Sequence, residues 1–337
     1  MDIRCYTPFE PFWFKAKDPD GALSDVVVVK ATYDLVDERT LVLAEEQEPV
    51  AFSDEYVGET GHSSVRYESD LAPHKPRCDV ALHATAHAPH GEPTERWRVS
   101  VFVDNQQRDV EVCGPRQWEK VGSGWALSSP APVAAVPLRY EYAFGGTVPT
   151  EDGPRRYDQN PIGVGFWPEE GDAPDPPDTL VAPQIVDPER PPTSPTEPAR
   201  AAGFGFTGRS WQPRLALAGT YDDAWKQNQW PLSPRDFDLA FYNGAADGMT
   251  FDSDLRGRSI SILHASPSGR VAFTLPSTQV DVRFRYLNGV VRLHEARLDT
   301  VFVDLEAQRV ILAHRVRAEA PDEVRVIEVI SHEGSEV

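Results

Sequence analysis

Cysteine is scarce in this chain: Cys5, Cys78 and Cys113 are its three, far apart and odd in number. No CxxC or CxxH spacing joins them, so a zinc ribbon or disulfide framework is excluded, and a reducing compartment is the simplest reading. Long apolar runs are missing as well. The longest near the start is the "VVVV" of Val26–Val29, far below the ~20 apolar residues of a membrane span. The opening MDIRCYTPFEPFWFKAK has no basic start followed by an apolar core, so no signal peptide is expected. Positive charge is in deficit: 33 Lys and Arg against 53 Asp and Glu give a formal net charge of −20. Such a surface repels nucleic acid and anionic membranes, and neither is expected as a partner. A cytoplasmic location follows from the same features.

Helical periodicity is also nearly absent, and what is there reads as strand. "DVVVVKATYDLV" is dense in β-branched residues. In "RWRVSVFVDNQQRDVEVCG", Val99, Val101 and Val103 alternate onto one face, and "DNQQRD" is predicted to be a hairpin loop. Three further hairpins are predicted late in the chain. They turn at Ser268-Gly269, at Asn288-Gly289 and within "TVFVDLEAQRVILAHRV". The fold expected is mainly β: stacked antiparallel sheets, sandwich-like, with a few short helices. "TYDLVDERTLVLA" (32–44) echoes "TVFVDLEAQRVILA" (300–313), and convergent hairpin chemistry explains this more cheaply than duplication.

The main break in composition is 168–198, which holds ten of the 31 prolines. It cannot pack a core of its own and is expected to run over the surface, with "LVAPQIV" (180–186) as the one apolar island able to dock. The chain therefore reads as one domain, 1–337. Within it lie a β region (1–146), a Gly/Pro-rich excursion (147–199), and a loop and short-helix segment followed by β hairpins (200–337).

Catalytic signatures are few. No GxGxxG, Walker lysine or GxSxG elbow is present. His83 and His87 share a strand face about 13 Å apart at ~3.3 Å per residue, too far for common metal ligation. Cys113 has no local histidine and reads as a small buried thiol. Gly145 and Gly146 in "YAFGG", and Asn160, Gly163 and Gly165 in "NPIGVGF", read as turns that shape a surface.

The densest stretch is 218–243, "AGTYDDAWKQNQWPLSPRDFDLAFYN", opened by the turn at Gly219. It holds four Asp, two Trp, two Tyr and two Phe. Ser233, Pro234 and Asp236 fit N-cap, N1 and N3 of a helix, a capping box, with Phe237 and Phe241 on its inner face. Asp222 and Asp223 would start a turn carrying Trp225 that stops at Pro231. Asp236 and Asp238 are thus partly accounted for by capping. A carbohydrate-acting hydrolase using Asp pairs of this stretch stays open as an alternative, since it needs only two carboxylates facing over a cleft.

"YAFGG", "NPIGVGF", "AGFG" (202–205), "WQPRLALAGTYDDAW" and "LSPRDFDLAFYN", in that order and spacing, resemble the bacterial family called domain of unknown function 2169. The likeness covers nearly the whole chain, and the Trp211–Asp238 run is its most specific part. Members of that family are associated with type VI secretion. The resemblance therefore implies an adaptor or chaperone that holds an effector and helps load it onto the VgrG/PAAR spike. It implies no enzymatic activity, cofactor or metal. Partner contacts are then expected at Trp211, Arg214, Tyr221, Asp222, Trp225, Trp230, Asp236 and Asp238.

Overall fold

A computed structural model describes residues 1–169, 175–320 and 322–332. Among these residues the chain is mainly β, with one α-helix, Asp223–Asn228. The larger sheet has ten strands. Its spatial order is Asp2–Cys5, Val324–His332, Gln279–Tyr286, Val291–Asp304, Arg309–Glu319, Leu23–Val36 and Glu10–Lys17. The first and last stretches of the chain therefore share one sheet. Thr40–Leu43 adds to Leu23–Val36, Cys78–His83 adds to Val291–Asp304, and Thr250–Phe251 adds to Cys78–His83. A second, five-stranded sheet runs Ile185–Val186, Gln106–Cys113, Arg96–Val103, Ser259–Leu263 and Arg270–Thr274. Two pairings in the large sheet are parallel, Asp2–Cys5 with Val324–His332 and Cys78–His83 with Val291–Asp304, which the hairpin pattern alone does not announce.

The two sheets face each other over one core. Val27, Val29 and Ala31 from the large sheet join the same apolar cluster as Val99, Val101 and Ile262 from the small one. The alternation expected for Val99, Val101 and Val103 is thus real, since all three are buried. Leu23–Val36, by contrast, is buried almost without interruption from Ser24 to Tyr33. Its odd residues fill the core, while Lys30 and Thr32 on the opposite face are covered by the segment that follows. Lys30 Nζ donates to the Pro49 carbonyl at 2.9 Å, and the Gln47 side chain brackets the Thr32 backbone. A strand buried on both faces reads as a continuous apolar run for this reason.

That back face carries buried charge. Lys30 pairs with Asp70 at 3.3 Å, Lys75 with Asp79 at 2.8 Å, Arg315 with Asp299 at 2.6 Å, and Arg214 with Glu68. Every member is 5% exposed or less. Asp299 is the extra residue of a β-bulge between Leu298 and Thr300. The bulge lets adjacent residues Asp299 and Thr300 both reach the network.

His314, on the strand Arg309–Glu319, is also buried. Desolvation lowers its imidazole from 6.5 to about 4, so it is neutral in the folded protein at pH 7. The unfolded chain binds this proton first. The stabilisation is therefore complete above pH 6.5 and is lost as the pH falls towards 4. Between pH 7 and pH 5 the fold is expected to lose about 2 kcal/mol from this one group. Urea unfolding at the two pH values checks it, and in His314→Asn that part of the difference disappears.

The predicted hairpins form, with corrections at two turns. "DNQQRD" is not a loop: Gln106 pairs with Val103, so only Asp104 and Asn105 lie at the tip, with Asp104 at φ 53°. At Asn288-Gly289 only Gly289 takes positive φ. Tyr286 and Gly289 close the turn, and the Asn288 carboxamide accepts from the Val290 amide. The island 180–186 docks as expected. Thr179–Val181 adds to Gln117–Val121, and Ile185–Val186 to Gln106–Cys113, with Ala182, Ile185 and Val186 buried. Of the Pro-rich stretch, residues 170–174 lie outside the described residues.

Candidate functional site

The segment 211–243 crosses the protein as a chain of short turns held by side-chain bonds. Trp211 is buried and meets Tyr140 edge-to-face at 5.3 Å. Arg214 opens a 3-10 turn, Arg214–Ala218, with its guanidinium turned inward. It donates to Glu68, to the Thr207 carbonyl at 2.7 Å and to the Phe241 carbonyl at 2.8 Å, and it lies 5.4 Å from the Phe241 ring. Neither Trp211 nor Arg214 is available to a partner, and the expectation of surface contacts there is corrected. Both residues clamp the segment onto the body. Glu68, the acid Arg214 needs, has no mark in the sequence, because nothing in "RYESD" distinguishes it from a solvated carboxylate.

The aspartates divide differently from the sequence reading. The turn expected at Asp222 and Asp223 is a short helix, Asp223–Asn228, N-capped by Asp222, whose Oδ1 accepts from the Trp225 amide at 2.8 Å. The helix expected to start at Ser233-Pro234-Arg235-Asp236 does not form; only a 3-10 turn, Leu239–Tyr242, follows that stretch. Its cap is Asp238, which accepts from the Ala240 amide at 2.8 Å. Asp236 instead reaches back to Thr220, accepting from its hydroxyl at 2.7 Å and its amide at 3.1 Å. Those bonds hold the Asp236 carboxyl below the usual carboxylate range. Gly219 sits at φ 82° directly against Asp236, where an added Cβ would come within 2.9 Å of Oδ1. The loop and the acid are one unit.

What remains open is aromatic. Tyr221 is 55% exposed and Trp230 68% exposed. Half-buried Trp225 lies between them in sequence. It meets Tyr221 edge-to-face at 4.6 Å and donates its Nε1 to the Leu232 carbonyl at 2.9 Å. Gln229 bonds the Ser233 carbonyl and also reaches the Pro19 carbonyl, tying the helix end to the N-terminal strands. Large aromatic surfaces on a backbone fixed this tightly can bind another protein at low entropic cost.

The glycine turns do not shape a surface; they pack against one another. Phe144–Gly145 pairs with Val164–Gly165 as two short parallel strands. Asn160, fully buried, donates from Nδ2 to the Tyr140 carbonyl at 2.8 Å and the Phe144 carbonyl at 3.1 Å. Gly146 donates to the Asn160 carbonyl at 2.9 Å, and Gly163 leaves only 2.4 Å between an added Cβ and Asn160 Nδ2.

The remaining candidates for chemistry are engaged or masked. His83 Nδ1 lies 3.2 Å from Asp304, and no cluster of three metal-ligating side chains occurs among the described residues. Burial pushes the Cys113 thiol up to about 11, so it is not a thiolate at neutral pH. Concavities of 640 and 440 Å³ around Leu35, Glu38 and Gln308 open at hairpin tips and not on the aromatic segment.

The molecule is thus a mainly-β protein of two facing sheets whose most elaborate local structure is a clamped, partly exposed aromatic segment. Residues 20–315 match the family described as an uncharacterized protein conserved in bacteria, DUF2169, and the chain belongs to it. No curated protein and no solved structure matches it.

Proposed function

We propose that the protein is a non-enzymatic cytoplasmic adaptor or chaperone that binds a type VI secretion effector and helps load it onto the VgrG/PAAR spike. The observation that carries this reading is the pair of exposed aromatics, Tyr221 and Trp230, on a backbone pinned by Asp222, Trp225, Gln229 and Asp236. The net charge of −20 suits a protein partner over nucleic acid or an anionic membrane. No helix of the described residues is long and apolar enough to cross a membrane. The hydrolase alternative gains no support, because Asp222, Asp236 and Asp238 each accept a backbone amide and take part in turn formation.

Co-purification with the effector encoded beside the gene tests the reading. Tyr221→Ala with Trp230→Ala is expected to weaken capture by roughly ten-fold or more, the scale of exposed aromatic hot spots, while the unfolding midpoint stays near wild type. Undiminished capture by that folded double variant would remove these residues from the interface.

A further inference from the structure

At one end of the sandwich, the tips of the two look-alike hairpins come together. The strands Leu23–Val36 and Arg309–Glu319 are neighbours, with Asp34 opposite Arg309, so the turn at Asp37 and Glu38 lies beside the turn at Leu305–Gln308. The loop between the strands Ser259–Leu263 and Arg270–Thr274 closes the third side, where the Glu38 carboxylate accepts from Ser266 and the Glu38 carbonyl from the Ala272 amide. Between them lies a groove of 440 Å³. It continues into a second of 640 Å³, the two sharing Leu35, Glu38, Ala307 and Gln308.

The floor of this groove is apolar, built from Leu35, Ala265, Val271 and Leu305. Its walls carry Glu38 and Glu306, with the His87 imidazole, on the first part, and Asp34 and Asp37 on the second. No lysine or arginine lines either part among the described residues. The bases next to it along the chain stand outside the groove: Arg39, which follows Glu38, is exposed and lines neither part, Arg270 bonds the Ser261 hydroxyl at 3.3 Å, and Arg309 is engaged by Asp34 at 3.4 Å and Glu48 at 2.6 Å. Glu38 and Glu306 each give one carboxylate oxygen to a hydroxyl, of Ser266 and Thr85 respectively, which fixes the carboxylates at the rim and leaves their second oxygens free.

An apolar floor under fixed, uncompensated carboxylates matches one kind of side chain: an aliphatic stem ending in a cation. We propose that this groove receives an arginine or lysine side chain carried by an extended segment of a partner protein. The stem lies on Leu35, Val271 and Leu305, and the charged head sits between Glu38 and Glu306. The proposal rests on the adaptor reading only in taking the partner to be a protein. It concerns a different surface from Tyr221 and Trp230.

The test uses the full chain and a fluorescein-labelled hexapeptide, Gly-Val-Arg-Val-Arg-Gly, against the same peptide with citrulline at both arginines. Fluorescence anisotropy is expected to show saturable binding of the arginine peptide, at least ten-fold weaker binding of the citrulline peptide, and weakening as sodium chloride is raised. Glu38→Gln with Glu306→Gln keeps shape and hydroxyl bonds while removing charge, and should cost ten-fold or more. Glu306→Gln alone, at an exposed position, serves if the double variant unfolds early. Absence of binding, equal binding of both peptides, or binding indifferent to these substitutions overturns the proposal. Displacement by an equal concentration of calcium overturns the choice of occupant. Trp230→Ala should leave peptide binding intact, so failure here and failure of effector capture are read separately.

Discussion

Arg214→Ala is expected to destabilise the protein by about 3–5 kcal/mol, because it leaves Glu68 buried without its main counter-charge. Both side chains are almost fully buried, and Arg209 approaches Glu68 only at 4.0 Å, with its own hydrogen bond given to Asp54. The variant also orphans the Thr207 carbonyl, in the preceding loop, and the Phe241 carbonyl, through which the 3-10 turn Arg214–Ala218 holds the turn Leu239–Tyr242. Urea unfolding followed by tryptophan fluorescence measures the loss. The companion variant Arg214→Met with Glu68→Leu should recover much of it, since replacing both members of a buried pair by apolar groups removes the desolvation cost. Breaking the exposed pair of Arg77 and Asp252 should change little, since water already solvates both. A small effect at Arg214 would mean that the clamp is not what fixes the aromatic segment.

This contrast explains which features were legible in the sequence. Strand alternation at Val99, Val101 and Val103, the Asn288-Gly289 hairpin and the turn started by Asp222 all depend on residues a few positions apart, and local pattern carried them. Arg214 and Glu68 are 146 residues apart, and Lys75 meets Thr300 across 225. Nothing local marks such residues as buried. In an alternating strand Lys30 or Asp79 reads as the solvent-facing member, and it takes a second covering layer to turn that position inward. Asp236 shows the same limit at short range. "SPRD" has the composition of a capping box, yet Thr220, sixteen residues back, offers its carboxylate two donors at once. Tertiary partners outcompete a helix whose first turn must be nucleated at a cost. The aromatic site was therefore legible as composition, while which of its residues face water was not.

Gly145→Ala is expected to be as damaging as the loss of Arg214, for a steric reason and not an electrostatic one. Gly145 lies at φ 152° with its Cα against the backbone of Asn160, and an added Cβ would stand 2.1 Å from that carbonyl oxygen. The obstacle is main chain, not a side chain that can rotate away, so the two short strands Phe144–Gly145 and Val164–Gly165 must separate. That movement takes the Asn160 carboxamide off the Tyr140 and Phe144 carbonyls at a position fully buried from solvent. Overpacking, an unfavourable backbone region and lost buried bonds together place the cost at roughly 3–6 kcal/mol. Gly61→Ala is the control: its φ of 76° is also positive, but nothing lies within 4 Å of the new Cβ, so only the conformational cost of about 1 kcal/mol remains. Thermal unfolding of the two variants separates the contributions. Equal, small losses would show that the strands yield to the added methyl, and that "YAFGG" and "NPIGVGF" are flexible turns after all. A large loss confined to Gly145 makes their pairing a requirement of the fold, which is the physical reason glycine stands at that position.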